Sequence, residues 1–183
     1  MAGMKPSPIL LRTESTFRPL LRPGDERSHA LAQRGWSEAG LAVRAVRGRK
    51  CRTRQGLFDE FSAALQFPWY FGENWDALGD CLADLDWIPQ QAGHVLMIKE
   101  PELVLGQDDE AQFDVLLDVL RMVTVEWGTP VELGEWWDRP PVPFHVVLAC
   151  LPHHTQETRD RWEKHAELIL LPDMPAAAPE RHA

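Results

Sequence analysis

The run Pro68-Trp69-Tyr70-Phe71-Gly72-Glu73-Asn74-Trp75-Asp76-Ala77-Leu78-Gly79-Asp80-Cys81-Leu82 decides the reading of this chain. Pro68 disfavours continuation of a preceding helix. Asn74 offers a side-chain oxygen to an N–H in the first turn of a new one, and Asp76 sits near the positive end of its dipole. Leu78, Cys81, Leu82 and Leu85 then form one apolar stripe, while Asp76, Asp80 and Asp84, four residues apart, stack on another face. Like charges at that spacing destabilise an isolated helix by a few tenths of a kcal/mol per pair, roughly. Something outside the helix therefore favours keeping them. Gly79 costs about 1 kcal/mol relative to alanine in mid-helix, and it leaves a gap between Asp76 and Asp80 that another backbone or side chain can enter. A partner surface explains both features; a merely solvated acidic face is the plain alternative.

Outward from this run, Leu57, Phe58, Phe61, Ala64 and Leu65 repeat at helical spacing up to Phe67-Pro68. Leu41-Ala42-Val43-Arg44-Ala45-Val46, ending before Gly48, suits a strand and a turn. His94-Val95-Leu96-Met97-Ile98 and Phe144-His145-Val146-Val147-Leu148-Ala149-Cys150 are continuous apolar runs, the pattern of strands covered on both faces. Between them a helix is expected from Glu110 toward Trp127, with Phe113, Leu116, Leu117, Leu120 and Val123 inward. Helices alternating with apolar strands predict an α/β fold with a small parallel sheet and helices on its faces. Residues 1–40 hold prolines at 6, 8, 19 and 23 and no sustained apolar period, so they are expected to be an irregular extension. Beyond Pro152, a helix is expected from Thr155 to about Leu170, then a disordered tail from Pro172.

The chain has 183 residues, 44% hydrophobic and 26% charged, which suits one packed core with appendages. No apolar stretch approaches a membrane span, and the first residues lack the apolar segment of a secretory signal, so the expected compartment is cytoplasmic. Cys51, Cys81 and Cys150 are scattered and odd in number, hence read as reduced, mostly buried thiols. The net charge of −9 is asymmetric: residues 1–54 carry 12 Lys+Arg against 4 Asp+Glu, and residues 55–183 carry 7 against 24. A surface so rich in carboxylates repels nucleic-acid phosphates and speeds encounter with a cationic protein.

The run from Tyr70 to Leu82 resembles the signature of the barstar family, intracellular inhibitors of secreted guanyl-specific ribonucleases. The similarity extends more weakly over about residues 41–150. It implies a three-layer barstar-like fold over residues 41–152, with a three-stranded parallel sheet flanked by helices, and no catalysis. It also implies that the second helix and the loop before it plug a ribonuclease active site, with no cofactor and no metal. By motif position Asp80 matches the carboxylate that enters the phosphate-binding pocket, and Asp76 its acidic neighbour. Tyr70, Phe71, Asn74 and Trp75 match the surrounding contact positions. Gly79 and Asp84 depart from the family's type member, which has a large aromatic and a glycine there, and Trp75 is expected to be partly exposed. The implied partner is a basic ribonuclease or nuclease toxin, and the implied role that of an immunity or antitoxin protein. The resemblance agrees with the chemistry, because a carboxylate can imitate a phosphate oxygen and charge-assisted bonds to arginine are strong.

Rival readings use other residues. Glu73, Asp76 and Asp80 could hold a hard metal ion in a phosphoesterase, although no histidine shares the run and no glycine-rich phosphate loop precedes it. Arg44, Arg47, Arg49, Lys50, Arg52 and Arg54 could neutralise nucleic-acid phosphates, or form a solvated edge. His153-His154 are read as loop histidines. Trp136-Trp137, beside Asp138 and Pro140-Pro141, either dock a partner or cover the core.

Overall fold

The computed structural model describes residues 6–89 and 92–171. Its elements run β1 (Leu20–Pro23), α1 (Glu26–Glu38), β2 (Leu41–Arg47), α2 (Arg54–Leu65), α3 (Trp75–Asp84), β3 (Gly93–Lys99), α4 (Glu110–Gly128), β4 (Phe144–Cys150), α5 (Thr155–Trp162) and β5 (Ile169–Leu170). The strands form one sheet in the order β2-β3-β4-β1-β5, and every pairing is parallel.

Alternation along the strands sorts side chains to two faces. Leu96, Ile98, Val146, Leu148 and Cys150 join the larger core under α2, α3, α4 and α5. Val95, Met97, Val147 and Ala149 meet Ala32 and Trp36 of α1 in a second, smaller core. The result is three layers, with α1 on one side of the sheet and the remaining helices on the other.

Three expectations fail here. The sheet has five strands, not three, because short strands on both sides of the 41–152 segment extend it beyond β4. Residues 1–40 are not irregular throughout, since they supply β1 and α1. β1 is only four residues long and contains Arg22 and Pro23, so no apolar run marks it; its partner β4 orders it, from Leu20↔Val147 to Pro23↔Cys150. α1 buries only a thin line of residues, among them Ala32 and Trp36, which is too sparse to register as a period. Asp25 was the available signal: its Oδ1 accepts from Ser28 N at 2.7 Å and starts the helix. The C-terminal helix is also shorter than expected, ending at Trp162 and not near Leu170; the tail from Pro172 lies outside the described residues.

Where β1 and β4 end side by side, the chain leaves on opposite faces of the sheet, the point at which open α/β sheets bind ligands. Beside it, Asp25 caps α1 and Glu26 pairs with Lys99 at 2.9 Å.

The late segment is structural. Trp162 is fully buried, lies edge-on to Phe113 at 5.1 Å, and donates from Nε1 to Pro101 O at 3.0 Å. Trp162→Ala should therefore cost about 3–5 kcal/mol in urea unfolding; a loss below about 1 kcal/mol would show α5 to be dispensable packing.

Acid sensitivity follows from buried histidines. Burial, then Arg139 and Arg44, push His94 down from 6.5 to about 4; burial is also the leading cause of the lowered values of His29 and His145. The unfolded chain thus binds protons that the folded one refuses, so stability is full above about pH 6.5 and falls toward pH 4. Between pH 7 and 5 the His94 contribution alone should be about 2 kcal/mol, read as a falling urea midpoint whose slope flattens in His94→Gln. A flat profile over that range would contradict the burial of a neutral His94.

Candidate functional site

The site begins where α2 stops. Gln66 takes a left-handed conformation, φ 55°, and ends the helix. Phe71 then anchors the loop inward, with its ring 4.9 Å from Phe67 and 6.1 Å from Phe58. Its neighbours are left outside: Trp69 is 95% exposed and Tyr70 65%. Asn74 locks both ends of the turn, accepting from Ala77 N at 2.9 Å and donating from Nδ2 to Gly72 O at 3.1 Å.

The rotation of α3 is fixed along its length by α4. Trp75 Nε1 donates to Gln112 Oε1 at 3.0 Å, and its ring meets Phe58 edge-on at 5.1 Å. Trp127 Nε1 donates to Leu82 O at 2.8 Å at the other end. Midway, Gly79 is buried, and a Cβ placed there would lie 2.8 Å from Met122 Cε. With Leu78, Gly79, Cys81 and Leu82 inward, the opposite face carries Asp76, Asp80 and Asp84, all exposed. Asp76 and Asp80 enter no hydrogen bond or ion pair among the described residues. Asp84, at the helix end, is held above the usual carboxylate range by partial burial and then by Asp86.

The eight candidate positions therefore divide. Tyr70, Asn74, Asp76, Asp80 and Asp84 are exposed, and Phe71 and Trp75 are half-buried. Gly79 is a correction: the gap beside it is filled by this chain's own Met122, so it serves helix packing and offers no opening for a partner. The structure adds Trp69, and beside the stripe Met122, 46% exposed on α4 and packed against Gly79. Trp69 stood next to Tyr70 in the deciding run. Met122 lies 40 positions beyond the end of that run, and only the α3–α4 packing places it beside the stripe.

The rival sets are dispersed. Glu73, at φ 48°, accepts from Gln55 Nε2 at 2.8 Å and is tied to α2. Among the described residues no three His, Cys, Asp or Glu side chains gather as a metal ion would need. In the basic stretch, Arg47 makes a two-pronged contact to Glu60, Nε to Oε1 and a terminal nitrogen to Oε2, each 2.7 Å, and Arg49 pairs with Glu100 at 3.0 Å. Arg47 thus holds the Glu60 carboxyl below its usual range.

The structure is a small α/β domain whose α3 displays an acidic face to solvent. Residues 41–149 match the family described as Barstar (barnase inhibitor), and the chain belongs to that family. Its members are inhibitors that bind ribonucleases. No curated protein matches the sequence. Among solved structures, the Aeropyrum pernix ORC2 protein in ADPNP-ADP complexes is similar at 12% identity and TM-score 0.52, over 87% of this chain and 42% of that one. Drosophila ORC bound to AT-rich DNA and Cdc6 is similar at 16% identity and TM-score 0.43, over 86% and 49%. The chain spans less than half the length of either structure, and the first likeness is one of fold alone. Among the described residues no helix is long and apolar enough to cross a membrane.

Exposed carboxylates without partners can be neutralised without harm to the fold. Asp76→Asn and Asp80→Asn should each change stability by less than about 0.5 kcal/mol, with a slight gain where the like-charge pair is relieved. A urea-unfolding loss above about 1.5 kcal/mol for either would mean that the carboxylate holds the domain together.

Proposed function

We propose that this protein inhibits a basic ribonuclease or nuclease toxin by laying the 68–74 loop and α3 across its active site, protecting the cell that makes the enzyme. The observation that carries the reading is the pair Asp76 and Asp80, one helical turn apart, exposed and without a hydrogen bond or ion pair among the described residues. A ribonuclease active site binds an anionic phosphate with cationic side chains. A carboxylate held on a rigid helix meets those groups at little ordering cost, since the helix is fixed before binding. Asp80 is the anchor in this reading, and Asp76 adds to the field that the enzyme's cations meet. Tyr70, Trp69, Asn74 and half-buried Trp75 supply the surrounding contact, the aromatics offering area at low entropic cost. The protein contributes no catalysis.

The test is RNA cleavage by a basic guanyl-specific ribonuclease with increasing amounts of the full chain. Cleavage should stop near equimolar protein, and Asp80→Ala should weaken inhibition at least tenfold, about what one charge-assisted hydrogen bond supplies. Raising salt should slow association more than it speeds dissociation. A ribonuclease that runs unhindered, or inhibition untouched by Asp80→Ala, would overturn the reading.

A further inference from the structure

The acidic stripe does not end in open solvent. At the C-terminal ends of α3 and α4, against the first residues of β3 and β4, lies a cavity of about 830 Å³ that Asp84 and Asp86 enter directly from the stripe. His94 and Trp127 form its inner part, 3% and 5% exposed, with their rings 4.6 Å apart. His94 lines the cavity, and its ring nitrogens make no hydrogen bond among the described residues. Burial keeps that ring neutral near pH 7, since its value falls to about 4. It can therefore accept a hydrogen bond as well as donate one.

The outer wall is aromatic. Trp136 and Trp137 are 90% and 49% exposed, and their rings stand nearly perpendicular, centroids 5.3 Å apart at 86°. These residues lie on a built loop. Asp138 accepts from Leu133 N and Gly134 N at 2.9 and 2.8 Å, and Val131 pairs with Arg139 in an antiparallel bridge. Asp84, Asp86 and Glu126 line the cavity against one cation, Arg139. Arg139 shows which chemistry this place favours: its guanidinium lies 4.5 Å from the Trp127 ring centroid and donates to Glu126 O at 3.1 Å. Two adjacent large aromatics held outside on an ordered loop beside excess negative charge suit a planar cation.

We propose that this cavity is a second anchoring site, taking the guanidinium of an arginine side chain on a basic protein partner. Trp137 would pack its ring on the guanidinium plane with Trp136 edge-on beside it, and Asp84 and Asp86 would accept its N–H groups. The proposal rests on the inhibitor reading only for the protein that carries the arginine.

The test titrates N-acetyl-L-arginine amide into the full chain and follows the tryptophan indole N–H resonances by NMR. Saturable shifts of Trp136 and Trp137 are expected at millimolar concentration, at least fivefold weaker in Trp137→Ala and in the Asp84→Asn, Asp86→Asn double variant, all changes at exposed positions. N-acetyl-L-citrulline amide, which has the same shape without the charge, should not saturate them. No saturable shift up to about 50 mM, or equal binding of the citrulline amide, would overturn the proposal; the latter would make the cavity an apolar groove. Arginine-amide binding by a chain that leaves the ribonuclease unhindered keeps this site and removes the nuclease reading. Inhibition without arginine-amide binding does the reverse.

Discussion

The seam between α3 and α4 is the constraint on which the rest depends. An amphipathic helix of ten residues can roll about its axis, and a small rotation would turn the carboxylates from solvent toward the core. Hydrogen bonds from two indoles, Trp75 to Gln112 and Trp127 to Leu82, hold opposite ends. Between them Gly79 lets Met122 close in. Neither indole bond nor the glycine contact would survive a roll, so the seam sets the azimuth of the acidic face. Its cost is visible in the sequence: a helix-weakening glycine and three like charges are kept on one short helix.

The seam also explains what was legible beforehand. The cap at Asn74, the apolar stripe from Leu78 to Leu85 and the buried strands at Val95 and Val146 are local patterns, and each is found where its periodicity placed it. Gly79 was misread because the sequence marks a gap without saying which molecule fills it; Met122 is 43 positions away and becomes its neighbour only when α4 docks. β1 and α1 escaped for a different reason. A four-residue strand containing an arginine and a proline has no signal of its own, and depends on the ladder that β4 offers. The exposed acids themselves were readable from spacing, whereas the pairing of Arg47 with Glu60 and of Arg49 with Glu100 was not.

That last point bears on electrostatics. Part of the positive excess of residues 1–54 is paired with carboxylates of α2 and the segment after β3, Arg47 with Glu60 and Arg49 with Glu100, and not with the stripe on α3. Burial of charge works in the same direction elsewhere: His29, His94 and His145 are held toward neutrality and contribute little positive charge near pH 7. In the proposed complex the field that the partner meets is set by α3, the end of α4 and the loop that carries Trp136 and Trp137, with α1 on the other side of the sheet.

The most direct measurement is amide hydrogen exchange of the full chain, alone and with a basic guanyl-specific ribonuclease. Added protection should be confined to residues 68–84 and the neighbouring surface of α4, with α1 and residues 44–54 unchanged. Protection centred on α1 or on the basic stretch, with α3 exchanging as in the free protein, would contradict the inhibitor reading.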